Sequence, residues 1–352
     1  MCDGGKPSEA VASFFGGVSG HFNIKRAHRK HPDRYFALLK QARDRGWLLT
    51  TAFQAQAGKQ VEGSGKCGEG MLANGLIAGH AYAVLRVAEA EGNHLVCCLN
   101  PWGTGEWTGK WSDRNEYGEW TPSMKKAVNY QKADDGRFWM SVEDFVECSA
   151  GVDYARTFGP NWQKISHYKQ FASKRMMGVA KRDCTGRRSD QISFSKGDSL
   201  EIHECSSEWW RGKVVGTDVE GYFRGAFVSV KDKPVMRFDL VGTVDKEHDS
   251  MKVVLMLMQP NSCMQRRYYT RSEDGLNYKD TKYGHLQFIV IGPDGNVAFK
   301  REGKKRCVWG ELELPGGGLW KVYALSVDGH GGQCTIRAYL KNGTAILKEV
   351  SG

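Results

Sequence analysis

At 352 residues, 40% of them hydrophobic and 26% charged, the chain is long enough for two or three domains, each with its own core. Its longest apolar run, Val253 to Met258, is strand-sized against the roughly 20 residues a spanning helix needs, which excludes a transmembrane reading. The formal net charge is +10, but the basic clusters at 25–34 and 300–306 lack the interleaved aromatics of a single-strand platform, so they read as solvated surface with no nucleic-acid partner.

The first ten residues hold no apolar leader, and the ten cysteines form neither CxxC pairs nor an even framework. Reduced thiols in a soluble, cytoplasmic protein are the expectation. In chain order, "SEAVASFFGG" predicts a short helix with Ser8 as N-cap and Gly16 just past its end. The stretch 33–46 places Tyr35, Leu38, Leu39 and Ala42 at helical spacing between an N-cap Asp33 and a stop at Gly46. Residues 80–87 and 94–100 read as two strands joined by the loop 88–93. Ser141 and Asp144 form a capping pair for a further helix. From about 178 to 230 the text becomes short strands with turn residues. A boundary at 231–234 precedes alternating strands with Gly-rich turns that run to the end.

The predicted hairpin carries the chemistry. Closing its loop sets His80 opposite Asn100. One face then holds Ala81, Ala83, Leu85, Val87, Leu95, Cys97 and Leu99, all apolar. The other holds His80, Tyr82, Val84, Arg86, Val96, Cys98 and Asn100. A one-residue slip would scramble that division, and opposed side chains lie about 5 Å apart at Cβ, so imidazole and amide can touch. A histidine can take a proton from a thiol and return it to a leaving amine. An asparagine oxygen on the other ring nitrogen sets tautomer and aim without adding charge. Trp102, two residues on, is placed to cover that bond.

Several motifs in order resemble the calpains, papain-like cysteine endopeptidases. They are "GGKPSEAVASFFGGV" (4–18), "GLIAGHAYAVL" (75–85), "NPWGTGEWTGKWSD" (100–113) and "DDGRFWMSVEDF" (134–145). The resemblance implies His80 as general base and acid, Asn100 as its orienting partner and Trp102 as the shield. It also implies a nucleophilic cysteine in a glutamine-glycine-cysteine-tryptophan context, and no such stretch occurs here. Cys67 sits beside Lys66 on a Gly-rich loop with no helix terminus behind it, Cys98 is diagonal to His80, and Cys97 points to the core, so no in-chain nucleophile is expected. Calcium is the implied cofactor, at Glu106, Asp113 and Asp135 with the Ala133 carbonyl. Arg137 stands where a further acidic ligand is expected; a guanidinium removes a ligand and adds an opposing charge, which argues against a working site.

Residues 179–230 resemble an SH3 barrel, through "SFSKGD", Trp209–Trp210, Gly212 and "EGYF". The ligand-groove positions read Arg182, Cys184, Trp209, Arg224 and Phe227, so only Trp209 and Phe227 remain aromatic, and the loop that is normally acidic reads "RRSD" (187–190). Binding of proline-rich peptides is not expected, and a spacer barrel is favoured. Residues 234–352 resemble the calpain β-sandwich, most visibly over 311–340.

The expected fold class is therefore α+β and multidomain. A papain-like protease half over 1–165 combines an antiparallel, barrel-like sheet with helices; an SH3-like β-barrel follows over 172–232, and a C2-like antiparallel β-sandwich over 233–352. The expected function is calpain-like cysteine-type endopeptidase action on intracellular polypeptides, by family calcium-dependent, in a chain that lacks the nucleophile-bearing half and is inactive alone. The alternative is a non-catalytic scaffold or regulatory binding module. Expected partners are a polypeptide substrate, the missing protease subdomain and anionic phospholipid.

Overall fold

The computed structural model describes residues 7–54, 70–113, 118–171, 176–204, 209–230, 235–260, 283–327 and 333–350. The chain divides into two units, Met1–Phe158 and Gly159–Gly352.

In the first unit the order is α1 (Pro7–Phe15), β1 (Val18–Asn23), α2 (Arg26–Lys30), α3 (Pro32–Asp44), β2 (Leu48–Phe53), β3 (Gly70–Met71), β4 (Ile77–Ala78), β5 (Ala81–Ala90), β6 (Asn93–Leu99), α4 (Pro122–Val128), β7 (Arg137–Ser141), α5 (Val142–Cys148) and β8 (Ser149–Arg156). The sheet runs β1-β8-β2-β5-β6-β7, with the short β3 and β4 attached at β2. Helix α3 buries Tyr35, Phe36, Leu39 and Ala42, the three-and-four spacing of one helical stripe. It opens at Pro32, two residues earlier than expected, because proline's fixed φ suits a first turn; Asp33 thus lies inside the helix, and Phe36, not Leu38, completes the buried stripe. Similarly Ser8 lies inside α1, while Gly16, at φ 73°, ends that helix. Ser141 caps α5, its Oγ accepting the Asp144 N–H at 3.1 Å.

The β5–β6 hairpin departs from its expected form. Its strands run on to Ala90 and Asn93, and only Glu91 and Gly92 turn, both at positive φ (48° and 74°). Two consecutive left-handed residues make a tight turn whose twist matches the strands it joins. Near its open end the register is Ala83↔Leu99 and Val84↔Cys98; a bulge at Leu85 then shifts it to Arg86↔Cys97 and Val87↔Val96. Tyr82, Val84, Val87, Val96 and Cys98 consequently pack in one core with Tyr35, Phe53 and Phe145. Leu95 and Cys97 pack on the other side with Trp111, Trp120 and Met124. Both faces are thus buried, the one bearing Tyr82, Val84, Val96 and Cys98 under helices α3 and α5, while Ala81, expected on the apolar face, is exposed.

The second unit holds β9 (Gln163–Gln170), β10 (Met176–Ala180), β11 (Ser199–Glu204), β12 (Trp209–Val214), β13 (Glu220–Arg224), β14 (Val228–Val230), β15 (Val235–Val244), β16 (Ser250–Met258), β17 (Leu286–Ile291), β18 (Val297–Gly303), β19 (Cys307–Pro315), β20 (Gly318–Ser326), β21 (Gln333–Lys341) and β22 (Gly343–Val350). One five-stranded sheet, β13-β12-β11-β10-β14, accompanies a core that includes Leu200, Ile202, Phe194 and Phe223. A second, β18-β17-β20-β15-β22, and a four-stranded sheet, β19-β16-β21-β9, fill a common core that includes Phe238, Leu255, Phe288 and Ile336. Strand β9 starts inside the span 1–165 assigned to the first domain, yet pairs with β21 from Gln163↔Leu340 to Gln170↔Gln333. The first unit ends earlier, at Phe158, because an alternating strand does not declare its partner.

Candidate active site

His80 directly precedes β5 and Asn100 directly follows β6. Continuing the register of Ala83↔Leu99 sets Asn100 opposite Tyr82, two positions beyond the expected pairing. A two-residue shift keeps side chains on the same face, and a diagonal pair is within reach of an imidazole. His80 Nε2 lies 2.9 Å from Asn100 Oδ1, with both residues buried.

The orientation of the amide follows from its backbone partners, whose polarity is not open to choice. Asn100 Nδ2 donates to the Thr104 carbonyl at 2.6 Å and to the Gly105 carbonyl at 3.4 Å, while Oδ1 accepts the Trp102 N–H at 3.0 Å. An oxygen at that end only accepts, so Nε2 of His80 is the protonated nitrogen. In the neutral ring the lone pair then belongs to Nδ1, the tautomer a proton acceptor needs.

Aromatic rings pack around the imidazole. Trp102 lies with its ring centroid 4.1 Å from that of His80, while 57% of the residue faces solvent, so it covers the pair from the water side. Tyr82 meets His80 edge-on at 5.3 Å, and its hydroxyl accepts the Ile77 N–H at 2.9 Å, tying the segment before His80 to β5. Glycines make room. Gly136, at φ 81°, accepts the Asn100 N–H at 2.8 Å, and a Cβ there would sit 2.7 Å from the Asn100 carbonyl oxygen. Tyr82, Thr104, Gly105 and Gly136 were not singled out from sequence; the density of glycine in 103–105 was the available signal.

The thiols near this pair are unsuited to attack. Cys97 and Cys98 are buried; burial pushes Cys97 up to about 12, with Arg137 and Arg86 only partly opposing it, and holds Cys98 well above the ordinary thiol value. Cys67 lies outside the described residues.

Comparison with known proteins bears on this arrangement directly. Residues 1–156 match the calpain family cysteine proteases, and residues 179–223 match SH3 domains. Residues 1–156 thus carry a calpain family cysteine protease domain. Calpain clp-4 of Caenorhabditis elegans is 34% identical over 149 residues, covering 41% of this chain and 19% of that protein. Mouse Calpain-5 is 29% identical over 196 residues, covering 50% and 29%; human Calpain-9 is 34% identical over 149 residues, covering 40% and 20%. The chain thus spans less than a third of the length of these calpains.

The three acidic residues expected to hold calcium in the calpain-family domain do not fit a cation cage. Glu106 Oε1 accepts the N–H groups of Asp135 (3.1 Å) and Gly136 (2.8 Å), and Asp113 Oδ2 accepts that of Ala133 (3.0 Å). Asp135 Oδ1 accepts the Arg137 N–H at 2.9 Å, and its Oδ2 lies 3.9 Å from the guanidinium. Among the described residues no three His, Cys, Asp or Glu side chains group closely enough to hold a metal ion. These carboxylates brace the 133–137 loop instead. Burial raises both Glu106 and Asp113 above the usual carboxylate range, neighbouring carboxylates add to that rise, and the backbone N–H groups partly offset it. In the SH3 domain, Trp209 and Phe227 stand beneath arginine: Arg224 lies 4.5 Å over the Trp209 ring and Arg182 4.0 Å over that of Phe227.

Proposed function

We propose that the calpain-family domain supplies the histidine–asparagine half of a thiol endopeptidase centre acting on polypeptides. The observation that carries this is the His80 Nε2–Asn100 Oδ1 contact at 2.9 Å, with the amide oriented by three backbone groups. His80 is the general base toward a thiol at Nδ1 and then the general acid toward the leaving amine. Asn100 orients it, and Trp102 excludes water from their hydrogen bond. Atoms balance without a metal: the thiol proton passes to Nδ1, sulfur bonds to the carbonyl carbon, and the same proton leaves on the amine as the peptide C–N bond breaks. Water then releases the acid and restores the thiol.

The thiol itself comes from another segment, since those near His80 are buried with raised pKa values. Calcium is not part of the reading, because its expected ligands are committed to a loop that Arg137 already bridges. A reducing, intracellular setting is supported by six described cysteines that form no disulfide: Cys97, Cys98, Cys148, Cys184, Cys307 and Cys334. We read the SH3 match as a small β-barrel and the last two sheets as a calpain-type sandwich, with anionic phospholipid as a partner suggested by resemblance alone.

A second reading is a protease-derived module that binds polypeptide without cutting it, favoured by the buried thiols. One experiment separates the two. Residues 1–352 are assayed with a fluorogenic peptide alone, and joined to a calpain subdomain bearing the glutamine-glycine-cysteine-tryptophan segment. Turnover only in the joined protein, reduced about 10²- to 10⁴-fold by His80→Ala, is expected. Turnover that survives His80→Ala rejects the protease reading.

A further inference from the structure

The SH3 domain poses a separate question: which ligand suits a groove whose aromatic walls are capped by guanidinium groups. Proline-rich peptides seat their rings between stacked aromatics, and an acidic loop grips a basic residue beside them. Here Arg182 covers Phe227 and Arg224 covers Trp209, so flat cations lie where proline rings would insert. Stacking holds a guanidinium in plane and leaves its N–H edges directed outward, in the fork that matches a carboxylate.

The adjoining loop adds two more cations and has a defined shape. A bridge pairs Cys184 with Phe194; the Gly186 N–H donates to Ser193 Oγ at 3.0 Å and the Arg187 N–H to Gln191 Oε1 at 3.0 Å. The Gln191 N–H turns back to the Arg188 carbonyl at 3.1 Å. Arg182, Arg187 and Arg188 are all exposed. Of the loop's acids, the Asp183 carboxylate accepts the Lys196 N–H at 2.7 Å, while Asp190 is exposed and only its backbone carbonyl is engaged, by the Tyr222 N–H at 2.8 Å. Among the described residues no carboxylate pairs with Arg182, Arg187 or Arg188. Elsewhere on this domain Glu220 contacts both His203 and Arg211, and His203 also meets Glu201. Arg182, Arg187 and Arg188 thus place three exposed cations beside the groove.

We propose that this domain docks an extended acidic polypeptide segment in place of a proline-rich one. Carboxylates engage Arg182, Arg187 and Arg188, and the exposed edge of Trp209 supplies apolar contact. Charge complementarity selects the occupant, and the SH3 groove accommodates an extended chain.

The test titrates the full chain into three fluorescein-labelled probes: a Glu/Asp-rich peptide of about twelve residues, its Gln/Asn counterpart, and a proline-rich peptide ending in arginine. Vesicles containing phosphatidylserine form a fourth arm. The acidic peptide should bind most tightly, weaken as salt rises, and lose about tenfold or more in affinity in Arg182→Glu/Arg188→Glu. Lys300→Glu/Arg301→Glu, a reversal of equal charge outside the domain, should leave it within about twofold. Three results overturn the proposal: tighter binding of the proline-rich peptide, equal loss in the two double variants, or binding of vesicles with none of the acidic peptide. The substituted arginines are exposed, and unchanged circular dichroism shows that the variants fold.

Discussion

The calpain-family domain and the SH3 domain differ in how their polar and charged side chains are placed. In the first, the candidate site is buried and engaged: Asn100 satisfies four partners at once, and His80 is packed between Trp102 and Tyr82. In the second, Leu200, Ile202 and Phe223 form the core, while at the surface Arg182 and Arg224 lie over Phe227 and Trp209. A buried polar network cannot lose a member without stranding the others, whereas an exposed groove can be rewritten at little cost to the fold.

The strongest challenge to that contrast is Asn100→Ala. It would leave the Trp102 N–H, the Thr104 carbonyl and His80 without their amide partner, and should cost about 3–4 kcal/mol. Urea unfolding combined with hydrogen exchange of amides in 95–145 would report it, and a loss below about 1 kcal/mol would break the comparison. Arg182→Ala in the SH3 domain should be far milder, about 0.5 kcal/mol, the value of one exposed cation–π contact, with unfolding cooperativity unchanged. The smallest effect sharpens the account of the acidic loop. Glu106 and Asp113 hold protons more tightly folded than unfolded, so the stability they contribute is present at low pH and is lost as pH rises through the carboxylate range and past their raised values. Asp113→Asn should flatten that decline in a series of thermal melts from about pH 4 to 7. A steeper decline would mean that its ionised form is favoured by the fold.

The contact between His80 and Asn100 is legible in the sequence although the hairpin's register differs from the expected one. Parity protects it: pairing sums that differ by two keep both residues on one face, so the expectation survived a shift in register. The bulge at Leu85 and the turn at Glu91–Gly92 were not anticipated, because a glutamate at positive φ carries no strong local signal. The same limit hid the role of Gly136, which matters only because the Asn100 carbonyl lies against it. The spans 172–232 and 233–352 were inferred from texture, and texture could not assign β9 to a sheet whose other strands lie at least 80 residues further along.

By itself, the amino-acid order determined which residue types could meet: an imidazole and an amide in strands of matching parity, arginine at groove positions, a guanidinium among acids. The first follows from strand period, which is a local property; the other two follow from the resemblance to SH3 domains and calpains. Which way the Asn100 amide points, which nitrogen of His80 bears the proton, and whether Glu106 and Asp113 turn toward a cation or a backbone N–H were decided only in three dimensions. The reason is physical: hydrogen-bond polarity and desolvation depend on neighbours that are distant in the chain, and a side chain commits to a partner only when packing has removed the water that would otherwise serve.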